Sequence, residues 1–215
     1  MSEHLTPKVL AVLRAMHGAL QKWRYTRELA RISKVGKSTI SDELPELVKL
    51  GLLDQRIEGR EVYYRLRLAN PRTRKLCELF ETEKREEFYR INRRLAWALQ
   101  EYTKRVFEFL PQVQTVVLFG SAARGQLTRK SDIDLLAVVP NAEQKPFNEL
   151  MKSIDKIAQD VNAVYGFPLS VVTMTVKDFE TAVRENKRIA EDVLHEGIVL
   201  FGEERYYRLL SRLLP

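Results

Sequence analysis

Apolar residues return every three or four positions at Val9, Leu10, Val12, Leu13 and Met16, which predicts a first helix opened by Thr6-Pro7. A second helix is expected after Thr26, with Leu29, Ala30 and Ile32 turned inward. Val35-Gly36-Lys37 reads as a turn. Ser38 or Thr39 then caps a third helix carrying Ile40, Leu44, Leu47, Val48 and Leu50, and Gly51 stops it. Pro45 lies inside that helix, where a missing backbone donor predicts a kink costing about 3 kcal/mol if uncompensated. Residues 54–57 and 61–68 read as strands around a Glu58-Gly59-Arg60 turn, and Asn70-Pro71 closes this part of the chain.

From residue 72 to 110 the chain is charged and helical. Phe88, Ile91, Leu95, Ala98, Tyr102, Val106 and Phe109 step by three or four along one seam, and Pro111 ends it. The texture then changes to alternating strands and helices. Strands are expected at 113–119, 132–139, 168–175 and 198–201, and helices at 146–165, 179–195 and 203–214. Buried strands separated by helices imply a mixed sheet. The expected fold is therefore α+β in three parts: residues 1–70, a helical connector over 71–110, and an α/β domain over 111–215.

Charge sharpens this division. The formal net charge of the chain is +7. Residues 1–70 hold 13 Lys/Arg against 8 Asp/Glu, whereas residues 111–215 hold 13 against 14. Basicity confined to the first part fits a nucleic-acid partner there. No apolar run approaches the roughly 20 residues that span a bilayer, so no membrane role is expected. Met1-Ser2-Glu3-His4 lacks the basic start and apolar stretch of a secretory leader. The one cysteine, Cys77, excludes an intramolecular disulfide, and its setting offers nothing to activate a thiol. His4, His17 and His195 are scattered without metal-ligand spacing. These features point to the cytoplasm.

Three short helices followed by a hairpin describe a winged helix-turn-helix, whose second motif helix presents its first residues to the DNA major groove. Here these are Lys37, Ser38, Thr39 and Ser41, followed by Asp42, with Arg56 and Arg60 on the wing for phosphates. The string KSTISDELPELVKLGLLDQRIEGREVYYRL resembles winged-helix regulators of the MarR/ArsR type over roughly residues 5–68. That resemblance implies double-stranded DNA as a partner. The alternative use of such a unit is dimerisation or protein contact, which the acidic Asp42, Glu43 and Glu46 would suit. Trp23 reads either as core or as a stacking surface. The seam either packs on the following domain or pairs with its twin in a homodimer.

The densest chemistry lies in LFGSAARGQLTRKSDIDLLAVV. Gly120-Ser121 follows an apolar strand, and a turn of this kind brings backbone amides and a hydroxyl close to phosphate. After ten residues come Asp132 and Asp134, which point to one face of a strand because side chains alternate. Two adjacent carboxylates repel until a cation sits between them, and hard oxygen donors select Mg²⁺, with Mn²⁺ as an alternative. This spacing resembles the DNA polymerase beta-like nucleotidyltransferase superfamily, in particular its minimal nucleotidyltransferases, over about residues 111–202. The resemblance implies that Asp132 and Asp134 are catalytic metal ligands and that Gly120 and Ser121 hold the phosphates of a nucleoside triphosphate, with Arg124 as an added cation.

Active members of that superfamily carry a third carboxylate on a neighbouring strand. The matching stretch here, FPLSVVTMT, has none, and Ser170 stands where the acid is expected. Asp178 and Glu180 follow, at the start of a helix. Two functions follow from the resemblances. One is Mg²⁺-dependent transfer of a nucleoside monophosphate to an acceptor, which could be a nucleic acid, a small molecule or a protein such as a toxin. The other is a DNA-binding regulator whose nucleotidyltransferase-like domain only binds nucleotide or supports assembly.

Overall fold

The computed structural model describes residues 5–128 and 131–214. Met1-Ser2-Glu3-His4, read above for a leader, lie outside the described residues. The chain forms two compact units, one reaching to Phe80 and resuming at Tyr207, the other spanning Glu81–Tyr206.

In the first unit, helix α1 (Pro7–His17) starts where Thr6 caps it: the Thr6 hydroxyl accepts a hydrogen bond from the Val9 amide at 3.3 Å. A two-residue strand β1 (Arg24–Tyr25), which the apolar pattern is too short to reveal, leads into α2 (Thr26–Ser33). Helix α3 (Lys37–Lys49) is capped by Gly36, not by Ser38 or Thr39. The helix continues through Pro45. Ile40, Leu44 and Leu47 face the core, while Pro45 lies on the exposed side, where the carbonyl that loses its donor is open to solvent. Gly51, at φ +70°, ends the helix as a left-handed residue. Strands β2 (Leu53–Glu58) and β3 (Glu61–Leu66) pair as a hairpin, and β1 adds on the other side of β3 to give the order β1-β3-β2.

Residues 71–110 divide at Asn92 into α4 (Pro71–Ile91) and α5 (Arg93–Phe109). Leu95, Ala98, Leu99, Tyr102 and Val106 of α5 are buried in the core of the second unit, because the apolar seam is the face that covers its sheet. Ile91 and Phe109, at the ends of the seam, remain exposed.

That sheet consists of β4 (Thr115–Phe119), β5 (Ile133–Val139), β6 (Leu169–Thr175) and β7 (Ile198–Phe201), in the order β6-β5-β4-β7. Strands β5 and β6 are parallel, and β4 is antiparallel to both β5 and β7. The four-residue helix α6 (Gly120–Ala123) leaves the end of β4, and α7 (Gln144–Tyr165) connects β5 to β6. One face of the sheet, including Leu118, Leu135 and Ala137, packs on α5 and on Ile154, Ala158 and Val161 of α7. Val117, Leu136 and Val138 alternate to the opposite face. There α8 (Val176–Arg184) packs on β5 and β6, and α9 (Arg188–Glu196) packs on β4 and α6.

The single helix expected over 179–195 is thus two helices. They break at 185–187, where Asn186 adopts φ +50°, a conformation that Asn tolerates better than most residues. The final helix α10 (Glu203–Leu213) begins in the second unit, but Tyr207, Leu209 and Leu210 are buried in the first, and the Tyr207 hydroxyl lies 2.6 Å from His17 Nε2. No described helix is long and apolar enough to cross a membrane.

Candidate functional site

The chain turns sharply where β4 ends. Gly120 adopts φ +71°, and a methyl group placed there would collide with the Asp134 carboxylate. A side chain here would need both a left-handed backbone and a shift of the Asp134 carboxylate, which favours glycine. The antiparallel register places Phe119 opposite Asp134, so the Gly-Ser turn and the acidic strand meet although 13 positions separate Ser121 from Asp134. Ser121 is half-buried, and its carbonyl accepts a hydrogen bond from the Gln126 amide at 2.9 Å.

Asp132 precedes β5 and is exposed, whereas Asp134 lies on the strand and is partly buried. Burial raises the Asp134 carboxyl above its usual value, the charge of Asp132 pushes it the same way, Arg124 opposes, and Asp192 adds a further rise. Two more acids therefore act on the strand carboxylate, one of them from α9. Arg124 sits just beyond α6 and pairs with Glu196, the last residue of α9, while its Nε donates to Gln126 at 3.3 Å. Asp192 and Glu196 are four residues apart and so share one face of α9. The sequence pattern missed both, since a single helix over 179–195 gave no reason to aim that face at Asp134. Asp192 also lies 3.8 Å from Arg188.

Ser170 is in register with Asp134 on the neighbouring parallel strand and is exposed. The position read as that of a missing acid thus lies one strand away from Asp134. Asp178 has another occupation: with Thr175 it forms a reciprocal capping box at the start of α8.

The residues singled out for DNA lie in the first unit. Lys37, Ser38 and Ser41 are exposed on the first turns of α3, and Thr39 is half-buried. Arg60 is exposed on the hairpin turn. Arg56 is engaged within its own unit: its guanidinium lies 4.6 Å from the centre of the Trp23 ring and pairs with Glu58 at 2.9 Å. Arg65 lies over the same ring, also at 4.6 Å, so two cations meet Trp23.

No curated protein matches the chain. Among solved structures it is similar to one described as "Crystal structure of the toxin-antitoxin with AMP-PNP", at 21% identity and a TM-score of 0.37, over 53% of this chain and 81% of that one. Over residues 100–200, from within α5 to within β7, the chain matches the family described as nucleotidyltransferase domain.

Proposed function

We propose that this protein transfers a nucleoside monophosphate from a nucleoside triphosphate to an acceptor hydroxyl, using Asp132 and Asp134. The observation that carries this reading is the close fit of Gly120 against the Asp134 carboxylate, within the stretch that matches the nucleotidyltransferase domain family. A phosphate-approaching turn and a pair of carboxylates converge there, which neither motif alone requires. In the transfer, a bond forms between the acceptor oxygen and the α-phosphorus. The bond from that phosphorus to the bridging oxygen breaks, pyrophosphate leaves with the electron pair, and the acceptor proton passes to solvent.

The side chains suit a divalent cation. Asp132 and Asp134 are close enough for one charge to act on the other. Among the described residues no cluster of three His, Cys, Asp or Glu could hold an ion alone. Mg²⁺ is commonly held in this way, by one or two carboxylates with substrate phosphates and water completing the shell. Bound between Asp132, Asp134 and the triphosphate, it would neutralise charge developing on the transferring phosphoryl group. Gly120 and Ser121 admit the phosphates, and Arg124 supplies a cation once it exchanges Glu196 for phosphate.

Calorimetric titration of ATP, GTP, CTP and UTP with Mg²⁺ tests the reading. Binding of at least one triphosphate is expected, lost in the Asp132→Ala/Asp134→Ala variant and absent without the metal. Failure of all four to bind would retire the proposed enzyme.

A second reading concerns the first unit, which we take to be a winged helix that binds double-stranded DNA. Three helices, the β2–β3 hairpin and the order β1-β3-β2 support it, as do exposed Lys37, Ser38 and Ser41 together at the start of α3. The two readings are compatible, with the winged helix binding an operator or positioning the substrate.

A further inference from the structure

The two edges of the four-stranded sheet are treated differently. At β7 the outward groups are taken by side chains of α4. Glu81 accepts from the Val199 amide at 2.8 Å, Arg85 donates to the Val199 carbonyl at 3.1 Å, and Lys84 donates to the Gly197 carbonyl at 2.5 Å. Side chains close this edge against further pairing.

At β6 nothing comparable occurs among the described residues. The Ile133 amide donates to the Pro168 carbonyl at 2.8 Å, which fixes the phase of the parallel ladder. Pro168, Ser170, Val172 and Met174 therefore turn their main-chain groups toward β5, and Leu169, Val171 and Thr173 turn theirs outward. No described residue hydrogen-bonds to those three amides or carbonyls. The strand reads Leu-Ser-Val-Val-Thr-Met-Thr, with no charge, proline or bulge to discourage a partner, and Val172 is 37% exposed.

We propose that the outer edge of β6 docks an extended polypeptide segment as an added strand. Main-chain hydrogen bonds to Leu169, Val171 and Thr173 would supply affinity, as in other cases of strand addition. The docked segment would run beside Ser170, and hence two strand spacings, about 10 Å, from Asp134. Ser170 is small, exposed and in register with Asp134, so a hydroxyl-bearing side chain of the added strand would sit on the far side of it from the acidic pair. Transfer to that hydroxyl rests on the proposed reaction and would make the segment part of the acceptor; the docking itself does not depend on it. A second copy of this chain suits the edge less well. One strand of seven residues buries far less than the ~1,200 Å² of a stable interface, whereas an acceptor needs only transient binding.

The test uses the full chain, without nucleotide, and synthetic peptides of the same length as β6. The peptides carry a central Tyr, Ser or Thr flanked by Val, Thr and Lys. Hydrogen exchange is followed residue by residue. Docking is expected to slow exchange at the amides of Leu169, Val171 and Thr173 and to leave Ser170 and Val172 unchanged, since these are already paired with β5. N-methylation of alternate peptide amides should weaken binding by about tenfold, and of the intervening amides hardly at all; this scan leaves the protein unaltered. The Asp132→Ala/Asp134→Ala variant should dock peptide as before, which separates this proposal from the nucleotide site. Absence of protection at the three amides with every peptide would overturn it, as would a flat methylation scan. Protection that rises with protein concentration alone would assign the edge to a second copy and overturn it equally.

Discussion

At the scale of the residue, the site is a balance of like charges. Asp134 is partly buried, and Asp132 and Asp192 both act to raise its carboxyl. An acid raised in the fold holds its proton more tightly folded than unfolded. Its contribution to stability is present below the unfolded-chain value near about 4 and is lost as pH rises through the raised value. At neutral pH the charged Asp134 therefore opposes the metal-free fold. Asp134→Asn should raise the melting temperature in a chelator at pH 7 by about 2 °C, with the gain vanishing toward pH 4. Thermal scans of the two proteins across that range decide it; a gain that does not depend on pH would show that the charge is not the cause. The acid pair and the Gly-Ser turn were legible in the sequence because strand alternation and a fixed spacing say which side chains share a face. The link from Arg124 to Glu196 was not, since it joins residues 72 apart through packing of α9 on α6.

At the scale of the element, α4 changes role along its length. The charged texture of 72–110 reads as a helical connector, yet Glu81 is 3% exposed and, with Lys84 and Arg85, seals the edge of β7. Charges at i, i+3 and i+4 look alike on a solvated helix and on one that serves a strand edge, so the periodicity alone could not distinguish them. Glu81→Ala would leave the Val199 amide in a buried place without its acceptor and should cost about 2 kcal/mol. Glu81→Gln, which keeps an acceptor, should cost less. Urea unfolding of both variants measures this, and equal losses would show that packing rather than the hydrogen bond holds the edge. The break between α8 and α9 was hidden for a related reason. Residues 184–188 are all polar, but Val183 and Ala190, seven positions apart, stay in helical phase on either side, and only the left-handed Asn186 shows that the axis is interrupted.

At the scale of the whole molecule, charge and chemistry are divided along the chain. The first 70 residues hold 13 basic side chains against 8 acidic ones, whereas the acid pair lies in a stretch with 13 against 14. A neutral domain of that kind gives little general attraction for a duplex, so DNA affinity, if the first unit is a winged helix, must come from that unit. Arg56 is a weak candidate for phosphate because its guanidinium is already held by Trp23 and Glu58. Lys37 and Arg60 are both exposed, one at the start of α3 and one at the hairpin turn. Reversing both, as Lys37→Glu and Arg60→Glu, should weaken duplex binding by about tenfold or more and flatten the dependence of log K on log salt by about 2. Arg56→Ala should change that slope little, while Asp132→Ala/Asp134→Ala should leave it untouched. Fluorescence anisotropy with a labelled duplex across a salt series reads all three. A slope unchanged by the double reversal would remove DNA from the first unit and leave α3, where Asp42 is exposed, as a surface for protein.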